Sequence, residues 1–461
     1  MFEPDTILLT GATGSLGAVV LERLLHTGYR VEVVLRSLSK SKSYIETRYS
    51  SFHEQLAFIE IPDMTIPDVF DDAASRANVI VHVATPLAYS NYEEDMIAPA
   101  WQIDHNLLTA AEKSKTVRRI VLTGSLVSVI SLPNQLQDDR VFNTEDFNPI
   151  SLSESIERMQ SAYSFSKTNS ERNAWHFVKQ NKPTFDLVVL LAPSITGRSI
   201  HEGFVPNKNA LGGMAAIYRE VFDRKSLGFL FPYIMDVDDV ATIHLQAIST
   251  SVPGNRRYIL HAPEPITAVK VARKIREEYP QLKSRVPEAP AGGDGLIQPL
   301  AKFDTSEMNY HFGSEWKGWW ESAKATIDDI LKCEKPDTQR EVKDPWKSAS
   351  GTNGLALPID RPRVARRPPP ASAAVRTRPQ SPSHPGRGIY RKEIDLSYLR
   401  RVHPHHVDRF TRPPRGETRA LSSASRPPHR PPPFPSLILS HSFMLRRPRS
   451  PCAEVDWEDI L

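Results

Sequence analysis

A glycine-rich turn near the start of the chain limits what it can fold into more than any other feature. The apolar run at 6–9 leads into Gly11, Gly14 and Gly17, with two residues between successive glycines, and then into a segment with apolar residues at helical spacing. This pattern predicts a buried strand, a tight turn and an amphipathic helix. Glycines let the chain turn and let the helix pack closely on the strand, while the helix N-terminus presents N–H groups to phosphate. The turn therefore predicts a dinucleotide site.

Strands and helices alternate along the chain after this turn. Apolar runs predict further strands at 30–35, 57–61, 78–86, 118–125, 185–191 and 257–260. Helical spacing predicts helices at 97–111, 162–175, 269–279 and 324–331, and another into which the segment 235–241 leads and which continues through 247. Such alternation is typical of a parallel sheet with helices on both faces. The predicted fold class is α/β, a Rossmann-type doubly wound parallel sheet with a small C-terminal substrate-binding subdomain.

The residue after the second strand bears on the choice between NAD and NADP. An Asp or Glu at this place would bond the ribose hydroxyls of NAD and repel a 2′-phosphate. The chain has Arg36, with Lys40 and Lys42 close behind. Cationic side chains of this kind suit a phosphate. The sequence therefore favours NADP over the simpler alternative, a solvated basic loop.

Three polar residues further along predict acid–base chemistry. Ser125 lies at the carboxyl end of the fifth strand, where open α/β sheets place their chemistry. Tyr163 and Lys167 are four residues apart in a predicted helix and share one face. A lysine ammonium beside a tyrosine favours the phenolate, which prepares the hydroxyl for proton transfer. His82, inside an apolar strand, is instead predicted to be a packed core histidine.

The last two regions differ in composition from the rest. Residues 198–235 carry Gly212-Gly213, Phe229, Phe231 and Tyr233, which predict a mobile apolar lid over a substrate. Residues 336–461 hold about 21 of the 39 prolines and about 11 more Lys and Arg than Asp and Glu, in a chain of net charge +4. That composition predicts a disordered, basic Pro/Arg-rich tail. The tail could bind nucleic acid, an acidic membrane or a proline-reading domain. We favour a tail without a binding task, or an artefact of gene prediction.

Several classes of protein are disfavoured by what the sequence contains. Its two cysteines, Cys333 and Cys452, are too few for a disulfide framework or a cysteine metal site, and no metal site is predicted. No run approaches the roughly 18 apolar residues of a membrane span. The acidic first residues, with a strand directly behind them, are not typical of a signal peptide. We expect a soluble, cytoplasmic protein without a membrane span.

Taken together, these motifs resemble a known family. The turn at 10–17, Ser125 and Tyr163-x-x-x-Lys167 are similar to those of the extended short-chain dehydrogenase/reductases. The segments at 36–42, 62–64, 82–86 and 236–241 resemble one branch of it: dihydroflavonol reductases, cinnamoyl-CoA reductases and fungal aldehyde and ketone reductases related to methylglyoxal reductase. The resemblance implies one domain at 1–333, mainly cofactor-binding to about 195 and mainly substrate-binding from about 196.

The resemblance also implies a role for each matching residue. Tyr163 would donate a proton to the carbonyl oxygen, Ser125 would hydrogen-bond that oxygen, and Lys167 would bind the nicotinamide ribose. Tyr163 would also contact the cofactor. The other cofactor residues, from the pyrophosphate through the 2′-phosphate and adenine to the nicotinamide, would be Gly11, Thr13, Gly14, Ser15, Leu16, Arg36, Lys42, Asp63, Met64, Ala84, Thr85, Pro193 and Ile195. The chain departs from the family pattern at Gly124, where a serine is usual, and at 102–104, where Gln-Ile-Asp replaces the frequent Asn-Gly-Thr.

The sequence thus predicts an NADPH-dependent reductase of an aldehyde or ketone, with a small-molecule carbonyl as its partner. One alternative is a sugar-nucleotide epimerase or dehydratase, or a hydroxysteroid dehydrogenase, on the same scaffold. Arg36 and the strand end at 82–86 argue against the sugar enzymes, which favour NAD. Another alternative is a binding protein that senses NADP without turnover. The complete set of Ser125, Tyr163 and Lys167 counts against that one.

Overall fold

The computed structural model describes residues 5–334, and the tail predicted at 336–461 lies outside them. Its strands, in chain order, are β1 (Thr6–Thr10), β2 (Arg30–Leu35), β3 (Leu56–Glu60), β4 (Val79–His82), β5 (Arg119–Ser125), β6 (Val141–Phe142), β7 (Asp186–Ala192), β8 (Ser194–Thr196), β9 (Ile234–Asp236), β10 (Arg256–Ile259) and β11 (Lys302–Phe303). Its α-helices are α1 (Ser15–His26), α2 (Leu38–Arg48), α3 (Asp71–Arg76), α4 (Ala98–Lys113), α5 (Leu152–Ser155), α6 (Met159–Asn181), α7 (Gly213–Val221), α8 (Val237–Ala247), α9 (Ala268–Glu278), α10 (Ser306–Phe312) and α11 (Trp319–Glu334).

Seven of these strands form the central sheet in the order β10-β7-β5-β4-β1-β2-β3. Every neighbouring pair is parallel. The chain therefore starts in the middle of the sheet, moves to one edge through β2 and β3, and then returns past β1 to build the other half. A cleft forms where the direction of travel reverses, between the carboxyl ends of β1 and β4. The predicted Rossmann-type doubly wound parallel sheet is confirmed.

Helices cover both faces of this sheet and explain why its middle strands are mainly apolar. On one face, α1, α2 and α8 pack around residues such as Val19, Leu24 and Val240. On the other face, α3, α4 and α6 enclose residues such as Leu107 and Phe177. All four residues of β4 are buried. A strand covered on both faces loses the alternation of apolar and polar residues and becomes a continuous apolar run.

A smaller core lies within residues 216–331, apart from the two faces of the sheet. It joins α7, α9 and α11 through buried residues that include Ile217, Val271 and Ile327. This second core fits the predicted substrate-binding part, although β10 of the same region joins the edge of the central sheet. The boundary at about 195 stays a prediction. None of the described helices is long and apolar enough to cross a membrane.

Candidate active site

A large cleft opens at the carboxyl ends of the central strands. Its volume is about 1570 Å³, larger than the roughly 300–1,000 Å³ of a pocket for one drug-sized ligand. It has room for an extended cofactor and a second small molecule. Fourteen of the sixteen site residues predicted from the sequence line it: Gly11, Thr13, Gly14, Ser15, Leu16, Arg36, Asp63, Met64, Ala84, Thr85, Ser125, Tyr163, Pro193 and Ile195. The other two, Lys42 and Lys167, lie outside the lining.

The glycine turn at the floor of the cleft has no space for side chains at two of its three glycines. Gly11 has φ +78°, and a Cβ there would lie 2.7 Å from the Ala84 nitrogen. A Cβ on Gly17 would lie 2.0 Å from the Gly11 carbonyl oxygen, so α1 packs directly on the turn. No side chain caps the N-terminus of α1, and its first turn holds no acidic residue. Its first N–H groups are therefore available to an anion in the cleft.

One end of the cleft is cationic. Arg36 follows β2 directly, is exposed, and lines the cleft together with Lys40. Among residues 5–334, Arg36 has no carboxylate within ion-pair distance. The ammonium of Lys42 instead lies 3.5 Å from a carboxylate oxygen of Glu46 and 5.6 Å from the ring centre of Phe58. Of the two cations predicted for a 2′-phosphate, Arg36 is the one in the lining.

The loop at 63–66, beside the cationic end, is held by Asn106, which was not among the predicted site residues. Asp63 accepts hydrogen bonds from the nitrogen and the hydroxyl of Thr65, at 2.9 and 2.6 Å. The buried Asn106 of α4 donates to the carbonyls of Met64 and Ile66, at 3.1 and 3.0 Å. These bonds fix the backbone around Met64 against the cleft. An asparagine within an apolar helix face was the available signal.

The Ser, Tyr and Lys set is assembled from two neighbouring elements. Ser125 is the last residue of β5 and is 7% exposed, and Tyr163 lies in the second turn of α6. Both line the cleft. Lys167, one turn beyond Tyr163, is buried, and its ammonium donates to the Thr123 carbonyl at 2.8 Å. The lysine is thus anchored to the strand that carries Ser125.

The buried His244 hydrogen-bonds to Thr123, the residue whose carbonyl accepts from Lys167. The Nδ1 atom of His244 lies 2.8 Å from the Val240 carbonyl, which can only accept, so Nδ1 carries the hydrogen. Nε2 then accepts from the Thr123 hydroxyl at 2.8 Å. Burial lowers the pKa of His244 to about 4, which keeps the ring neutral and preserves this pattern. Neither Thr123 nor His244 was among the predicted site residues.

The opposite end of the cleft is apolar. Leu87 and Phe229 are large side chains that stay 47% and 56% exposed while they line it. The predicted lid contributes α7, where a Cβ on Gly213 would lie 2.5 Å from the Ile195 carbonyl oxygen. Its mobility stays a prediction. The apolar side chains at this end include Leu87, Leu126, Leu132, Ile150, Phe229 and Phe231.

The described residues contain no group of three or more His, Cys, Asp and Glu side chains that could hold a metal ion. His82 is 2% exposed, which confirms its prediction as a packed core histidine.

The cleft offers a phosphate cradle, a cationic end, a hydroxyl pair and an apolar end. These are the parts that a dinucleotide and a small organic molecule require.

The sequence profile of the NAD dependent epimerase/dehydratase family matches residues 7–260, more than half of the chain. The chain belongs to this family. Among its relatives in the family, ketoreductase azaE of Aspergillus niger is 27% identical over 68% of this chain and 93% of its own. Aldehyde reductase 2 of Sporidiobolus salmonicolor is 27% identical over 72% of this chain and 96% of its own.

A solved structure of the same fold is yeast methylglyoxal/isovaleraldehyde reductase Gre2 complexed with NADPH. It superimposes with a TM-score of 0.65 at 23% identity, over 71% of this chain and 98% of that one. Together with the family match, these relatives confirm the resemblance that the sequence motifs predicted.

Proposed function

We propose that this protein is an NADP-dependent oxidoreductase that uses NADPH to reduce an aldehyde or ketone to an alcohol. The observation that carries the proposal is one cleft whose lining includes the glycine turn, Arg36, Ser125 and Tyr163. The names of the relatives support it, since they include a ketoreductase, an aldehyde reductase and a reductase complexed with NADPH.

The residues of the cleft fit NADPH at its two phosphate-bearing parts. A turn in which Gly11 and Gly17 leave no room for side chains brings the backbone close to a pyrophosphate, beside an uncapped helix N-terminus. The exposed guanidinium of Arg36 suits the 2′-phosphate, because it can form two charge-assisted hydrogen bonds to it. Lys40 adds a second positive charge in the lining.

The chain's own residues then supply position and a proton. NADPH, when bound, provides the hydride that reduces the carbonyl carbon. Tyr163 donates its hydroxyl proton to the carbonyl oxygen, while Ser125 donates a hydrogen bond to the same oxygen. The ammonium of Lys167 stabilises the tyrosinate until a proton from water restores it. The balanced reaction converts one carbonyl, one NADPH and one proton into one alcohol and one NADP⁺.

The apolar end of the cleft sets the substrate class. Leu87 and Phe229 line the cleft and remain about half exposed, and their burial by an apolar group would add favourable free energy at about 25 cal/mol per Å². We therefore propose carbonyl substrates with aliphatic or aryl substituents, including aryl aldehydes and β-keto esters. Small hydrophilic dicarbonyls should be reduced with higher KM.

The test is NADPH consumption by the full chain across dicarbonyls, aryl aldehydes and β-keto esters, with NADH in parallel. We expect turnover with NADPH, and a fall in kcat of about 10²–10⁴-fold in Tyr163→Phe with a much smaller change in NADPH binding. Tyr310→Phe is the matched control, because Tyr310 is 83% exposed and does not line the cleft. It should behave as wild type.

Other outcomes would redirect the assignment. Tight NADPH binding without turnover of any carbonyl would favour a protein that senses NADP. Interconversion of nucleotide sugars without net NADPH consumption would favour an epimerase. A preference for NADH would contradict the role given to Arg36, and full activity of Tyr163→Phe would contradict the proton-donor role.

A further inference from the structure

A buried chain of hydrogen bonds runs from helix α4 to the backbone beside the cleft. Asp104 Oδ1 lies 3.1 Å from His82 Nε2, and His82 Nδ1 lies 2.8 Å from Thr10 Oγ1. The Ala84 nitrogen donates to the same Thr10 oxygen at 3.2 Å. Thr10 and His82 are 0% and 2% exposed, and the Asp104 side chain is 12% exposed. Four residues from three separate segments of the sequence thus share one network.

The chemistry of its two ends gives this network a direction. The Ala84 peptide N–H can only donate, and the Asp104 carboxylate can only accept. His82 Nε2 therefore carries a hydrogen toward Asp104. In that tautomer, Nδ1 is the acceptor for the Thr10 hydroxyl hydrogen. The Thr10 oxygen then receives the Ala84 N–H. In this arrangement every donor of the network has an acceptor.

The end of the network sits at the cofactor cradle. Thr10 directly precedes Gly11, and Ala84 lines the cleft. The backbone at Ala84 lies so close to Gly11 that a Cβ on this glycine would be 2.7 Å from the Ala84 nitrogen. Strands β1 and β4 are paired here, with Thr10 opposite His82. A shift of the Ala84 peptide therefore moves both sides of the cradle.

We propose that Asp104 is a positioning residue for the NADPH cradle, acting through His82 and Thr10 on the Ala84 peptide. The role rests on the proposed function for its cofactor, but its structural part concerns the cofactor-free chain. Asp104 fixes which ring nitrogen of His82 carries the hydrogen. The Thr10 hydroxyl then has one orientation, and the Ala84 peptide is held where the cradle needs it.

The first measurement needs no cofactor. Hydrogen exchange is measured on the full chain by mass spectrometry. The segment 82–88 contains the Ala84 N–H, which donates to the Thr10 hydroxyl oxygen. In Asp104→Leu we expect this hydrogen to exchange about tenfold faster, because the network loses its terminal acceptor. In Asp104→Asn the amide oxygen still accepts from Nε2, so exchange should stay within about twofold of wild type.

The second measurement is NADPH affinity, read from fluorescence, with KM and kcat in the reductase assay. Asp104→Leu and Thr10→Val should each raise the Kd and KM for NADPH about tenfold and leave kcat at saturating NADPH within about twofold. The double variant should be no worse than either single one, since both interrupt the same chain. Asp104→Asn and Thr10→Ser should restore wild-type affinity.

The outcomes separate this role from the function itself. Wild-type protein that does not bind NADPH would end the proposed function, while the exchange result would still decide whether Asp104 holds the Ala84 peptide. Unchanged exchange and affinity in Asp104→Leu would overturn the positioning role alone. So would effects that multiply in the double variant, or a loss of kcat with KM unchanged. If Asp104→Leu does not fold, the isosteric Thr10→Val against Thr10→Ser decides the same question.

Discussion

The buried imidazole of His244 should make this protein lose stability as the pH falls below neutrality. Its pKa is lowered by burial from an ordinary 6.5 to about 4. Between those values the unfolded chain binds a proton at this residue that the folded chain does not. Stability from this residue is therefore complete above about pH 6.5 and decreases as the pH falls toward about 4.

The size of the effect follows from the two pKa values. One pKa unit corresponds to about 1.4 kcal/mol. Between about pH 7 and about pH 5, the His244 contribution to the free energy of unfolding should fall by about 2 kcal/mol. Burial also lowers the pKa of His105, His201 and His261, so the whole protein should lose more than this.

Comparison with His244→Gln isolates the single residue. Urea unfolding of the full chain, without cofactor and at both pH values, gives the free energy of unfolding of each variant. His244→Gln should be less stable than wild type near pH 7, because it packs less well and must replace two buried hydrogen bonds. That deficit should shrink by about 2 kcal/mol near pH 5.

His53→Gln is the control, because His53 is exposed and solvent reaches it in both states. It should leave the stability difference between the two pH values as in wild type. If wild type and His244→Gln lose equal stability between those pH values, His244 does not stay neutral inside the fold. The orientation assigned to the Thr123 hydroxyl would then be wrong as well.

Three further changes test the cradle and the core. Gly17→Ala places a Cβ 2.0 Å from a backbone oxygen and should lower both the thermal midpoint of unfolding and the NADPH affinity. Gly14→Ala is the control: its Cβ would lie 3.4 Å from the nearest atom, so the midpoint should stay close to that of wild type. Arg36→Ala should reduce the ratio of NADPH affinity to NADH affinity, both measured by titration, about tenfold or more. An unchanged ratio would mean that Arg36 does not bind the 2′-phosphate. Glu171→Gln removes the carboxylate that lies 2.6 Å from the buried guanidinium of Arg257. The free energy of unfolding in urea should fall by about 3–5 kcal/mol, and a fall below about 1 kcal/mol would contradict this account.

Much of the sheet could be predicted from the chain alone, because its strands and helices have strong periodicity. The second strand was predicted at 30–35 and lies at Arg30–Leu35, and the helix predicted at 269–279 lies at Ala268–Glu278. The short strands β8 and β9 were not predicted. Three residues are too few to show a period, and their pairing depends on a partner about 40 residues away.

The predicted site divides in the same way. Glycines at fixed spacing and a tyrosine four residues before a lysine are local patterns, so Gly11, Tyr163 and their neighbours could be chosen without coordinates. Lys42 was chosen by the same kind of spacing, but its ammonium lies beside Glu46 and the ring of Phe58. Sequence spacing can predict that Lys42 is close to the cleft. The direction of its side chain depends on the geometry of helix α2.

The supporting residues depended on the tertiary structure. Asn106 reaches a loop about 40 residues earlier, His244 meets Thr123 at a separation of 121 residues, and Thr10 meets His82 at a separation of 72. A single polar residue in an apolar helix or strand has no local partner that would reveal its task. Its hydrogen-bond requirement is met only when packed elements bring a donor or acceptor to it, because burial removes the water that would otherwise serve.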